Sequence, residues 1–141
     1  MGFHLRIAGE KMNIYFVIAA TFALLTCVGH FTIGIKSFLT PMLDANFDPI
    51  AQKIMQCVFH YVSVFLVMST LVLYACGLEM VSIMQGYGLV LFIALNYLLF
   101  AVWQIYIGFF SDIESPFKSL FQWIFFAAIS FFTLLGVFQS L

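Results

Sequence analysis

The chain has 141 residues, of which 65% are hydrophobic, 19% aromatic and only 8% charged, and its net charge is −1. Because about a quarter of the residues in a soluble domain are charged, this composition indicates an integral membrane protein. The few basic residues form no patch that could neutralise phosphates, which excludes nucleic acid as a partner. The cysteines are odd in number and none lies in a loop, so they predict no disulfide framework and do not identify the redox compartment of the protein.

The first of four apolar segments follows a short N-terminal segment, 1–12, and predicts a helix over 13–39. It exceeds the roughly 20 residues that cross a bilayer as a helix. It is expected to end before Pro41, because proline cannot continue the helical hydrogen-bond ladder. The residue directly before Cys27 is not the small one that a lipoprotein cleavage site needs, so we expect a retained transmembrane helix.

Three further apolar segments predict helices over 49–76, 82–110 and 117–140. The first of these begins with Asp48 as its N-cap, followed by proline, which is typical of a helix start. Backbone polar groups must be satisfied within each segment in hydrocarbon, and no alternating barrel pattern is present. The short connections make neighbouring helices antiparallel. We therefore predict an all-α fold: an up-down bundle of four transmembrane helices that forms a single domain over 1–141.

The spacing Cys-x-x-His occurs twice, at Cys27 to His30 and at Cys57 to His60. At 1.5 Å per residue, the two histidines lie about 15 and about 18 Å from the helix ends that meet at the first connection. Small and polar residues recur at steps of three and four around both histidines, as is typical of a helix face that meets other helices. We therefore predict that both imidazoles and both thiols converge inside the bundle.

Three interpretations of this Cys/His set remain open. Thiolate and imidazole are ligands of zinc and copper, so Cys27, His30, Cys57 and His60 could form a tetrahedral metal site. His30 and His60 alone could ligate a b-type haem in an electron-transfer subunit. The simplest interpretation is that no cofactor binds and that the histidines hydrogen-bond across helices to a neighbour such as Thr26, Ser63 or Asn96.

Polar residues inside the predicted helices concentrate toward the first and third connections, whereas the opposite half holds only hydroxyls. Lipid offers polar atoms no partner, so this asymmetry predicts a water-filled vestibule or a shallow site at one mouth of the bundle. The predicted vestibule residues are Lys36, Gln56, Ser63, Asn96, Gln104 and Gln122.

The sequence lacks HExxH, a Gly-rich phosphate loop, GxSxG and a carboxylate pair inside a helix. We therefore expect no enzyme, except an oxidoreductase subunit if haem or a metal binds. Almost no extramembrane mass and bulky aromatic surfaces favour an accessory or interaction subunit of a membrane assembly, packed against copies of itself or another subunit. A small channel or transporter is a further alternative, which the absence of an acidic residue within the helices weakens.

The positive charges that the positive-inside rule counts are almost equal in number on the two sides of the predicted bundle. Arg6, Lys11 and the terminal amine lie on one side of the predicted bundle, and Lys53 and Lys118 lie on the other, with Lys36 inside the first helix. The count favours, by a narrow margin, both termini in the cytoplasm, in a plasma membrane or a bacterial inner membrane.

Overall fold

The computed structural model describes residues 12 to 141, so the predicted N-terminal segment, apart from Met12, lies outside the described residues, as do Arg6 and Lys11. Of residues 12–141, 83% are helical and none lies in a strand, so the predicted all-α class is confirmed. The helices are α1 (Ile14–Gly29), a π-helical segment that continues it (His30–Leu39), α2 (Thr40–Asp44), α3 (Pro49–Gly77), α4 (Ile83–Phe109), α5 (Pro116–Ser119) and α6 (Trp123–Gln139).

Within residues 12–141, three helices are long and apolar enough to cross a membrane. They are Ile14–Asp44, which runs from α1 through α2 with a mean hydropathy of 2.0, Pro49–Gly77 with 1.9 and Met84–Phe109 with 2.0. The fourth apolar helix, α6, has 17 residues, and this length spans about 25 Å, less than the roughly 30 Å of a hydrocarbon core. Length and composition thus support a multi-pass membrane location.

The helices pack as a ring in the order α3, α1, α6 and α4, in which the contact between α3 and α4 is the sparsest. Three buried alanines on one face of α1, Ala19, Ala20 and Ala23, let its backbone approach its two neighbours closely. Phe16 and Leu66 are 1% exposed and belong to the same continuous core. Packing around α1 therefore holds the bundle together.

Asn13 ties three helices together at one end of the bundle. Its Nδ2 donates to the Gly136 carbonyl at 2.9 Å and to the Ser140 hydroxyl at 3.0 Å. Its backbone N–H donates to the Gly77 carbonyl at 3.1 Å, and its Oδ1 accepts from two N–H groups in the first turn of α1. The start of α1 thus meets the ends of α3 and α6, so both run antiparallel to α1. We call this the termini end, and we call the opposite end, with connections 45–48 and 110–115, the loop end.

The first helix does not end at residue 39 as predicted. It changes at His30 to a π-helical segment, in which the Thr40 N–H donates to the Ile35 carbonyl, and it stays helical to Asp44. In an α-helix, the ring of Pro41 would clash with the carbonyl four residues earlier. The π register precedes this proline, and the chain passes it without ending the helix.

The fourth predicted helix, 117–140, consists of two helices. The short α5 follows Ser115, whose φ of 54° is left-handed, and a turn at 120–122 separates α5 from α6. The helix predicted over 49–76 ends one residue before α3 does, and the helix predicted over 82–110 is one residue longer than α4 at each end; both differences lie within ordinary boundary variation.

Candidate functional site

His30 points into the bundle and is held there by α3. Its ring stacks on Phe59, with centroids 4.1 Å apart and an interplanar angle of 17°. Its Nε2 lies 2.9 Å from the Ser63 Oγ and 3.3 Å from the Phe59 carbonyl oxygen. Because the Ser63 hydroxyl donates to that carbonyl at 3.0 Å, Nε2 of the neutral ring carries the proton and donates to Ser63. Nδ1 is then left as an acceptor.

His60 and Cys57 lie on the outer surface, so the prediction that both imidazoles and both thiols converge fails for α3. The buried face of α3 is marked by Phe59, Ser63 and Leu66, whereas His60 and Cys57 are exposed. At 3.6 residues per turn, His60 is rotated about 100° from Phe59 and Cys57 about 160°. The Phe59 ring contacts both imidazoles, with a centroid distance of 5.7 Å to His60.

The four predicted metal ligands are not brought together. Cys27 is buried in the core and Cys57 is exposed. Within residues 12–141, no group of three or more His, Cys, Asp or Glu side chains could hold a metal ion. Haem ligation by two imidazoles requires both rings to face one iron, but His30 points inward and His60 outward. The geometry within one chain therefore gives neither ligand set any support.

A cleft opens beside His30 at the loop end. It consists of two adjoining cavities of about 360 Å³ and about 520 Å³. It forms because α1 packs on both α3 and α6, whereas the π segment continues along α3 without comparable contact to α6. The residues that line both cavities are His30, Ile33, Gly34, Val62, Gln122 and Phe126.

Two stretches of irregular backbone border this cleft. One is the π segment, which begins at His30, and the other is the turn at 120–122, whose residues line the cavities. Long π-helical stretches are rare, and π-helical turns are frequent at functional sites. In membrane proteins, non-helical backbone at membrane depth is tolerated where it is buried in protein or lines a cavity. Both irregularities therefore identify the cleft as the candidate functional site.

A glutamine pair reaches the cleft from α4 and from the start of α6. The Gln104 Nε2 donates to the Gln122 Oε1 at 2.7 Å, and both residues line the larger cavity. The Gln104 Oε1 is buried and has no hydrogen-bond partner within residues 12–141. A buried acceptor without a donor is costly and calls for an explanation.

The other predicted vestibule residues lie away from the cleft, except for Ser63, which lies behind His30. Lys36 is exposed. Gln56 accepts from the Lys53 Nζ at 3.1 Å, and the Asn96 Nδ2 donates to a carbonyl of its own helix at 2.8 Å. The structure thus brings His30, Ser63, Gln104 and Gln122 to one region and leaves the remaining three outside it.

A buried hydroxyl pair in the middle of the bundle is absent from the sequence-based predictions. The Tyr97 side chain is completely buried, and its hydroxyl lies 2.7 Å from the Ser69 Oγ. Phe65, Phe100 and Phe126 surround the Tyr97 ring. The sequence feature that could have revealed this pair is a tyrosine in the middle of an apolar helix, because a buried tyrosine hydroxyl needs a hydrogen-bond partner.

The contact between His30 and Ser63 leads to a first prediction. His30→Ala and Ser63→Ala should each lower the free energy of unfolding, and a double-mutant cycle should give a coupling of about 0.6 kcal/mol, and at most about 1.7 kcal/mol, as measured for interhelical hydrogen bonds in membrane proteins. Reversible unfolding in mixed micelles measures it. Thr32→Ala is the control, because the Thr32 hydroxyl donates only within its own helix and should show no coupling to Ser63→Ala. Zero coupling between His30 and Ser63 would contradict this geometry.

Comparison of the chain with protein-family models, with curated proteins and with solved structures finds no match. The functional interpretation therefore depends on the geometry of this chain.

Proposed function

We propose that this chain is a membrane protein whose four helical spans cross the bilayer as an up-down bundle with both termini in the cytoplasm. We further propose that it acts as an interaction subunit and pairs with a second copy of itself through the outer face of α3. Here the α3 outer face means the exposed residues Cys57, His60, Tyr61 and Val64. The three long apolar helices support the membrane assignment, and the exposure of His60 carries the proposal of pairing.

In a bilayer spanned by α3, the imidazole of His60 would lie at membrane depth. With 29 residues, α3 is about 43 Å long, and His60 lies about 18 Å from its loop end. In a bilayer spanned by α3, the exposed ring would face hydrocarbon, and within the described residues no hydrogen bond joins it to another group. Polar side chains at this depth are costly and almost always face a protein partner or a water-filled cavity. A partner outside the chain would remove this cost.

A second copy of the chain fits this requirement. Two copies with the same membrane orientation can meet around a two-fold axis normal to the bilayer, which places their α3 helices parallel and their His60 rings at one depth. A neutral imidazole has one N–H donor and one acceptor nitrogen, so two such rings are complementary to each other. Tyr61, 69% exposed, and Val64, 63% exposed, would supply apolar contact beside them.

Cross-linking through a natural cysteine tests this pairing. Cys57 is exposed, whereas Cys27 and Cys76 are buried, so a short bismaleimide should join two wild-type chains at Cys57 in lipid vesicles. His60→Leu should weaken the dimer about 3- to 18-fold, which corresponds to the loss of one interhelical hydrogen bond of about 0.6–1.7 kcal/mol. Cross-linked yield as a function of the protein-to-lipid ratio gives the dissociation constant.

Matched variants separate specific pairing from random collision. Cys57→Ala should abolish the product, and Asn96→Leu, which removes a polar side chain from α4, should leave the yield unchanged. The pairing is contradicted if wild-type Cys57 gives no dimer above that of an unrelated membrane protein, or if His60→Leu cross-links as efficiently as the wild type.

A further inference from the structure

The cleft at the loop end offers two hydrogen-bond acceptors that the described chain leaves without donors. The Gln104 Oε1 is buried and unpartnered within residues 12–141. The Nδ1 of His30 lies beside Gly34 and is an acceptor because Nε2 carries the proton toward Ser63. Both side chains line the larger cavity, of about 520 Å³. A ligand that satisfies these two acceptors would need to bring donors, and a hydroxyl donor can also accept from the Gln122 amide that lines the same cavity.

The lining of the cleft restricts the charge of that ligand. Among residues 12–141, no Asp, Glu, Lys or Arg lines either cavity. A buried ammonium group would find no counter-charge among these lining residues, and a phosphate or carboxylate would find no cation among them. Hydroxyl donors carry no charge and match the two acceptors, so a neutral polar group fits best.

The rest of the cleft is apolar and open to the side. Ile33, Val62 and Phe126 line both cavities, and Ile33 is 49% exposed, so the cleft reaches the outer surface between the π segment and α6. The volumes lie in the range of small-molecule sites. An apolar wall, a lateral opening and two acceptors at the inner end match an amphiphile that enters from the bilayer.

We infer that the cleft binds a neutral lipid whose polar end carries hydroxyl donors, with one hydroxyl donating to the His30 Nδ1 and another to the Gln104 Oε1 after the Gln104 side chain turns toward the cavity. The apolar chain of the lipid then lies along Ile33, Val62 and Phe126. Two kinds of lipid share this chemistry: glycerol lipids with free hydroxyls, and quinols. The site is independent of the pairing through His60, because neither His60 nor Cys57 lines the cleft.

The test uses the full-length protein in micelles and two matched lipids, monoolein and its di-O-methyl ether. The chain has two tryptophans, and Trp123 directly follows the cleft residue Gln122, so a Trp103→Phe background makes Trp123 the reporter. Monoolein should change Trp123 fluorescence in a saturable manner. The ether, which has the same chain but no donors, should bind at least tenfold more weakly.

A variant of the protein tests the role of the same acceptor by changing the protein and not the lipid. Gln104→Leu/Gln122→Leu removes the unpartnered acceptor together with its hydrogen-bonded neighbour, and exchanging both partners for apolar groups is nearly neutral or stabilising for a fold. We expect at least tenfold weaker monoolein binding with an unchanged or higher melting temperature. Gln85→Leu, at an exposed position on the same helix, is the control and should bind as the wild type does.

Each outcome decides for or against the site. Equal binding of monoolein and its ether, or wild-type affinity in the double leucine variant, would overturn it. If the double variant unfolds, the comparison of the two lipids on wild-type protein still decides. Competition by a short-chain benzoquinol, but not by the corresponding quinone, would assign the site to quinols, and the absence of competition would assign it to glycerol lipids. No saturable signal from either lipid class would overturn the inference.

Discussion

Asn13→Ala is expected to lower the free energy of unfolding by about 2–4 kcal/mol, because the Asn13 side chain caps α1 and donates two hydrogen bonds to α6 and its C-terminal end. It caps α1, which contributes about 1 kcal/mol. Its Nδ2 also donates to the Gly136 carbonyl and to the Ser140 hydroxyl, and each such hydrogen bond contributes about 0.5–1.5 kcal/mol. The loss combines these terms, since alanine replaces none of them.

Reversible unfolding in mixed micelles, followed by circular dichroism, measures this loss. Asn96→Ala is the matched control: the Asn96 amide donates to the Phe92 carbonyl of its own helix, so the change should cost less than about 0.5 kcal/mol. Asn13→Asp keeps the capping oxygen and removes the donor, and it should fall between the wild type and Asn13→Ala. Equal effects of the alanine variants at positions 13 and 96 would contradict the proposed junction.

Gly136→Val is expected to destabilise the bundle by about 3 kcal/mol, the upper part of the usual range for overpacking a core. A Cβ at Gly136 would lie 2.6 Å from the Phe16 Cδ1 and 3.2 Å from the Asn13 Oδ1. Phe16 is 1% exposed and packed on all sides, so its ring has no space into which to move. The added side chain would separate α6 from α1 and weaken the Asn13 bond to the Gly136 carbonyl.

Gly88→Val is the control for this substitution, because nothing lies within 4 Å of a Cβ at Gly88. It should be neutral or slightly stabilising, since valine has a higher helix propensity than glycine. A partial rescue gives a second check: Phe16→Leu combined with Gly136→Val should cost less than the sum of the two single changes. Equal unfolding midpoints for the two glycine variants would contradict the close packing of α6 on α1.

The helices could be predicted largely because local signals determine them. Apolar length gave the spans, and Asp48 with the following proline gave the start of α3, where the Asp48 carboxylate accepts from the Ala51 N–H. The pattern of small and polar residues on the first helix placed Cys27 correctly in the interior. These signals depend on residues a few positions apart, which a single sequence displays directly.

The direction in which α3 faces could not be predicted by the same reasoning. In an apolar bundle both faces of a helix are hydrophobic, so the sequence pattern assigns the interior to the face that carries the polar residues. On α3, however, Phe59, Leu66 and Leu73 are buried and His60 is exposed. The interior is defined by close contact with α1, a property of two helices together that the pattern along one helix does not contain.

The irregular backbone and the Asn13 junction were missed for a related reason. Pro41 predicts that an α-helix ends, but the sequence does not show that a π register carries the chain past it. Asn13 bonds to residues 123 and 127 positions away, and no local pattern reports such distant partners. The unpartnered Gln104 oxygen is also visible only in three dimensions.

The two ends of this bundle differ in mechanical character. At the termini end, Asn13 joins α1 to α3 and α6, whereas at the loop end the π segment packs only sparsely on α3. We therefore expect smaller relative displacements of the helices at the termini end than at the loop end.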